Sequence, residues 1–213
     1  MEAYRQHFSN KDFIFSFFEA IVLIVVALMT QFYASNYATN SASSSVADIV
    51  LSNTRVYDVG GIFVYGAVFL TFFILYLCFR HINYLPFVMK SIAIFTLTRS
   101  FFITLTHINP FPTHATIDSV IFGGKMFNGI FNGDDLFFSG HTGLPFLLAL
   151  IFWDHKSLRY IFLTFSIVFG VVVLLGHLHY TIDVFSAFFI TYTIFHICLK
   201  FLRKDRELFQ RND

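Results

Sequence analysis

Apolar residues in this chain come in long runs rather than in the short rhythms of soluble strands and helices. The first run, Phe13–Tyr33, is broken only by Ser16, Glu19, Thr30 and Gln31, and its 21 residues suffice to cross a hydrocarbon core of roughly 30 Å. Further runs cover Ile62–Phe79, Leu85–Thr106, Leu136–Trp153, Tyr160–Leu175 and Ile182–Phe201. Loop signals separate them. Residues 34–60 carry the patch Ser41-Ala42-Ser43-Ser44-Ser45 and end at Gly60-Gly61, Arg80-His81-Ile82-Asn83 is a tight turn, and 107–137 holds Asn109-Pro110-Phe111-Pro112, Gly123-Gly124 and Asn132-Gly133. The pattern predicts an all-α integral membrane protein with six transmembrane helices. Its parts are an N-terminal segment 1–12, a bundle 13–201 and a basic tail 202–213. A cleaved leader is the rival reading of the first run, but the run is longer than a leader core and holds Glu19.

Six spans put both termini on one side, and charge chooses which. Of 14 Lys and Arg residues, eleven (Arg5, Lys11, Arg80, Lys90, Lys156, Arg159, Lys200, Arg203, Lys204, Arg206 and Arg211) fall on the side of the termini, against Arg55, Arg99 and Lys125 on the other. The positive-inside rule then makes the termini cytoplasmic. The Asp134–Thr142 and Gly176–Val184 clusters face the opposite, exoplasmic side: periplasm or exterior in a bacterium, lumen in an organelle.

Composition narrows the class. Hydrophobic residues make up 56% of the chain and charged residues 13%, about half the share usual in a soluble domain. The 32 phenylalanines suit side chains that face lipid tails. A net charge of +1 and the absence of a basic aromatic patch exclude nucleic acid as a partner. Cys78 and Cys198 sit near cytoplasmic span ends, where thiols stay reduced.

Chemistry concentrates in the two polar clusters. His179 and Asp183 are spaced i, i+4; if the sixth helix begins near His179 they share a face and pair. A carboxylate on Nδ1 fixes the imidazole tautomer and leaves Nε2 as nucleophile or base. His141, after Ser139-Gly140 at the mouth of the fourth run, would bring a second imidazole to the same side. A structural ion pair and an interfacial His are the plainer readings, but ionisable residues at membrane spans are functional more often than not. A nucleophile with an acid/base is what phosphoryl transfer through a covalent intermediate requires. No zinc-like ligand spacing occurs, since His177 and His179 alone are too few; no metal and no cofactor is expected.

Phe138-Ser139-Gly140-His141-Thr142 and His179-Tyr180-Thr181-Ile182-Asp183-Val184 resemble the paired signatures of the sphingomyelin synthase family. That family belongs to the lipid phosphate phosphatase (type 2 phosphatidic acid phosphatase, PAP2) superfamily. Asp135 matches the acidic residue that precedes the family's Ser-Gly-His-Thr. Arg99, Thr104, Thr106 and Asn109-Pro110-Phe111-Pro112 resemble its Arg-to-Pro-x-Pro region more loosely. The likeness covers roughly 95–200. It implies a PAP2-like helical bundle in which His179 attacks phosphorus, Asp183 orients it and His141 handles the leaving-group and acceptor protons. It also implies a phosphotransferase that moves a phospho-headgroup from a membrane glycerophospholipid to a lipid alcohol such as ceramide. A lipid phosphatase or phospholipase C-like hydrolase, with water as acceptor, is the alternative. A non-enzymatic scaffold that kept the fold is disfavoured by the intact His141, His179 and Asp183.

The chain departs from the broader phosphatases. It has no Lys-x6-Arg-Pro element, and Val172-Val173 stand where a Ser-Arg pair precedes the nucleophile. Phosphate charge must be clamped otherwise, and Arg99, Lys125 and His177 are the candidates; Asp135 and Ser139, which the resemblance supplies, complete the expected substrate-binding set. Arg99 lies about 21 Å along its span from Leu85, as an anchor reaching outer headgroups or as a clamp turned inward. Termini shorter than those usual in the eukaryotic synthases point to a bacterial inner membrane, and self-association as a homo-oligomer is left open.

Overall fold

The computed structural model describes residues 10–115 and 136–210, and the regular structure there is helical. Helix α1 spans Lys11–Ser41, α2 Gly60–Arg80, α3 Leu85–Ile103, α4 Gly140–Ile151, α5 Lys156–Leu175, α6 Thr181–Phe201 and α7 Arg203–Gln210. Helices α1, α2, α5 and α6 are each long and apolar enough to cross a membrane, as is α3 with the 3-10 turn Ile82–Tyr84 before it. Helix α4 is the expected fourth span, but its 12 residues reach only about 18 Å. Residues 136–139 continue it as non-helical backbone. Such backbone is tolerated at membrane depth only where protein surrounds it, and Leu136, Phe138 and Ser139 are buried. Chain direction alternates through the six, giving a multi-pass membrane bundle. One end holds the start of α1 and all of α7; the other holds residues 42–59 and 104–115 and the described His clusters.

Packing explains the arrangement. The buried face of α1 carries Ala20, Ala27, Ala34 and Ala38, a stripe small enough for its backbone to lie close along α3. Helix α4 sits among α3, α5 and α6. A Cβ on Gly143 would fall 2.8 Å from Thr191 Oγ1 of α6 and 2.9 Å from the Phe95 ring of α3, so the approach of three helices depends on glycine there. Helix α2 stands apart and meets the bundle chiefly through α5 and the 82–84 turn. Phe15, Phe18, Phe69, Phe72, Phe185 and Phe189 point outward, an apolar surface that suits lipid and not water.

Two elements exceed the reading from sequence. Helix α1 does not stop near Tyr33 but runs to Ser41, because Ala34 and Ala38 pack on Ile103 and Phe137. Within the basic tail, Arg203–Gln210 folds as α7. Its Phe209 is buried against Tyr84, 4.4 Å between ring centroids, and Phe87. Asn83 Nδ2 donates to the Phe209 carbonyl at 3.0 Å, and Arg206 donates to the Ile151 carbonyl at 3.0 Å.

Candidate active site

The turn between α5 and α6 supplies the first half of the site. Helix α6 begins at Thr181 with Tyr180 as its N-cap, so His179 precedes the helix rather than lying on its face. Asp183, the third helical residue, turns its carboxylate back over the helix start. Its Oδ2 accepts the Tyr180 N–H at 3.1 Å and lies 3.2 Å from His179 Nδ1. The positive end of the helix favours a carboxylate at this position. Asp183 thus caps α6 and holds one imidazole nitrogen, leaving Nε2 for chemistry. His179 and Asp183 are each 3% exposed, so this pair sits in a low-dielectric setting where a charge-assisted hydrogen bond counts for more than in water.

The other half comes from the start of α4, joined to the first by the backbone: the Ser139 N–H donates to the Asp183 carbonyl at 2.9 Å. Ser139 Oγ caps α4 by accepting the Thr142 N–H at 3.4 Å. His141, the second residue of α4, is held by rings, with Phe63 of α2 at 3.9 Å and Phe169 of α5 at 5.8 Å between centroids. It lies within electrostatic reach of His179 and Arg99. Pro145, one turn further on, has no N–H to give the His141 carbonyl.

Arg99 of α3 completes the group. It is buried, donates from Nε to the Phe138 carbonyl at 3.4 Å, and passes over Gly140, where an added Cβ would lie 3.2 Å from Nε. It is therefore turned inward. Arg99, Gly140, His141 and His179 together line the polar end of one cavity of about 390 Å³. This end of the cavity brings two imidazoles and a guanidinium together, the groups that phosphoryl chemistry uses.

The remaining candidates fall elsewhere. Ser139 is fully buried as a helix cap and does not line the cavity. His177 does not line it either: Thr113 Oγ1 lies 2.7 Å from its Nδ1 and Thr54 Oγ1 3.1 Å from its Nε2, so both nitrogens face hydroxyls of the long connections. Burial holds its imidazole below the ordinary value, against the pull of nearby Asp48. Asp135 and Lys125 lie outside the described residues. Among the described residues no group of three or more His, Cys, Asp or Glu could hold a metal ion.

Long-range hydrogen bonds to which the sequence reading gave no role secure the His179 turn. Asp48, in the connection between α1 and α2, accepts the Thr181 N–H at 2.7 Å and the Thr181 hydroxyl at 2.8 Å. Burial raises the Asp48 carboxyl, but these bonds and the N–H groups of Leu51 and Val50 outweigh it and hold it below its ordinary value. The Tyr180 hydroxyl donates to the Asn109 carbonyl at 2.8 Å and accepts the Val46 N–H at 3.1 Å. Ser44 and Ile108 form an isolated bridge that ties the two connections together. Backbone strain marks both halves of the site: among the described residues the non-glycine positive φ values are Phe137 at 145° and His177 at 52°, each two residues before Ser139 or His179. Such conformations persist where surrounding contacts over-determine them.

No curated protein and no solved structure matches the chain. Residues 133–200, about a third of the chain, match the family model described as PAP2 superfamily C-terminal, and the stretch from the Ser139–His141 turn to the end of α6 is accordingly PAP2-like.

Proposed function

We propose that the protein is a membrane lipid phosphotransferase of the sphingomyelin synthase-like kind. In the first step His179 Nε2 attacks the phosphorus of a glycerophospholipid headgroup. A nitrogen–phosphorus bond forms, the bond to the glycerol oxygen breaks, and His141 gives the departing diacylglycerol its proton. In the second step His141 takes the proton of an acceptor hydroxyl, such as that of ceramide. The oxygen attacks the phosphohistidine, and His179 leaves as neutral imidazole. Asp183 orients His179 and stabilises the cationic ring; Arg99 holds phosphate oxygens with its planar fork. The observation that carries the reading is the single cavity lined by Arg99, His141 and His179, with His179 Nδ1 held by Asp183. The excess of basic residues toward the opposite end of the bundle supports an exoplasmic site.

The test is product analysis. Purified protein in liposomes with headgroup-labelled phospholipid is expected to move label to ceramide when ceramide is present. Release of a water-soluble labelled headgroup with and without ceramide would make water the acceptor. Absence of any cleavage across a panel of phospholipids would overturn the phosphotransfer reading.

A further inference from the structure

The cavity extends well beyond its polar end. From Arg99 its wall follows α3 down to Leu85, fourteen residues and about 21 Å at 1.5 Å per residue. Set against a hydrocarbon core of ~30 Å, the slot runs along about two thirds of a membrane span. Below Gln31 and Thr96 the wall is apolar but for Thr71 of α2 and the Cys78 thiol, with Leu70, Ile74, Val88 and Ile92 among its members. Ordered water needs two to four polar partners at each position, and this wall does not supply them along its length. Hydrocarbon is the occupant that fits.

The slot is open on one flank and closed at the bottom. Leu28 of α1 and Leu75 of α2 line it and are 42% and 41% exposed, so a tail would enter from the bilayer by the flank between α1 and α2. At the far end Cys78, Leu85 and Val88 are all buried. The volume of about 390 Å³ lies near the bottom of the roughly 300–1,000 Å³ range of ligand pockets, which suits a single narrow chain.

We propose that this slot receives one hydrocarbon tail of the lipid whose phosphate sits at Arg99, His141 and His179, and that its closed end at Cys78, Leu85 and Val88 limits the tail length accepted. The other tail of a two-chain lipid stays in the bilayer. The proposal rests on the lipid-phosphate reading of the polar end.

Two measurements test it. In the first, dioctanoyl and dioleoyl forms of one phospholipid are compared as substrates in mixed micelles. Val88→Trp overfills the closed end and is expected to cut kcat/KM for the dioleoyl lipid by about tenfold or more while sparing the dioctanoyl lipid. Leu85→Ala, which enlarges it, is expected to move the preference toward longer tails. Equal effects on both tail lengths would overturn the proposal. The second needs neither turnover nor a folded variant: the parent protein is irradiated with a phospholipid bearing a diazirine at one tail end. Label on Val88, Met89 or Cys78 is expected, and label confined to the outward-facing Phe69 and Phe72 would refute the slot. Labelling in the slot without turnover of either lipid would refute the phosphotransfer reading and leave the slot standing. Turnover with outside labelling alone would do the reverse.

Discussion

Asp183→Asn separates two jobs that one carboxylate performs. In the folded protein Asp183 Oδ2 serves both the Tyr180 N–H and His179 Nδ1. An asparagine oxygen can still accept the Tyr180 N–H, so the helix cap survives with a neutral acceptor in place of a charged one, at a cost of about 1 kcal/mol. The rate should suffer more. Attack on phosphorus turns His179 into a cation, and the variant has no negative charge beside it. The deficit lies between a charge-assisted hydrogen bond and the roughly 4 kcal/mol attraction of unit charges about 4 Å apart at an effective dielectric near 20. A loss of about 2–4 kcal/mol corresponds to about 30- to 1,000-fold in the chemical step. The assay is transfer of labelled headgroup in liposomes, set beside thermal stability in the same detergent. Turnover indistinguishable from the parent's in a folded Asp183→Asn variant would make the carboxylate a helix cap only and refute its part in the chemistry.

His179→Ala should abolish turnover while the protein stays folded by circular dichroism; full activity would sink the covalent route. Arg99→Lys should cost about 10- to 100-fold in kcat/KM, because a point charge replaces a fork that grips two phosphate oxygens, and Arg99→Ala more. Near-parent rates in both would shift the clamp to another residue. Asp48→Asn should weaken the Thr181 anchor. Because the folded carboxyl titrates below its ordinary 3.8, the stability it contributes is present above that pH and lost as pH falls through the folded value. The gap in thermal stability between parent and Asp48→Asn should therefore be full near neutrality, shrink as pH falls below 3.8 and close once the folded carboxyl is protonated; a gap that stays constant to the lowest pH the fold survives would mean the carboxylate is not the anchor. A cysteine at Ser44 should react with a membrane-impermeant thiol reagent added outside and one at Ser157 should not, with the opposite result inverting the orientation.

What the sequence displayed of this fold was what hydrophobicity alone decides. Continuous apolar runs located the spans because every backbone polar group in a bilayer must be satisfied within a helix. The last turns of α1 were illegible because Ala34 to Ser41 is not an apolar run; tertiary contact with Ile103 keeps it helical. Helix α7 was hidden for the same reason, being eight charge-rich residues held by Phe209 and Asp205. In the site, the His179–Asp183 pair was visible from spacing, although a shared helix face is not what joins them. The helix starts two residues after His179 and the carboxylate reaches back across the cap. Asp48 and Tyr180 act over 133 and 71 residues of separation, and long-range hydrogen bonds leave no period in a sequence. The one available signal was an acid isolated in an otherwise uncharged Ser- and Ala-rich stretch.

Helix α3 carries a buried cation toward each end of the bundle, and the two explain each other. Lys90 is 5% exposed, a placement that costs several kcal/mol for an unpaired ammonium. Its Nζ lies 2.8 Å from Glu19 Oε2 and 3.0 Å from Ser16 Oγ, both of α1, and 3.1 Å from each carboxylate oxygen of Asp205 on α7. Ser16 in turn donates to Asp205. This network fixes how far α3 is drawn toward the end that holds α7, since a shift of one turn, about 5.4 Å, would break every contact in it. Arg99 stands nine residues further along the same helix, about 13.5 Å at 1.5 Å per residue. Anchoring Lys90 therefore sets the depth of Arg99, and Arg99 must meet the start of α4 at one level to pass over Gly140 and reach the Phe138 carbonyl. A short α4 makes that level lie inside the bundle instead of at its rim. The charge cluster remote from the chemistry is in this sense part of what builds the site.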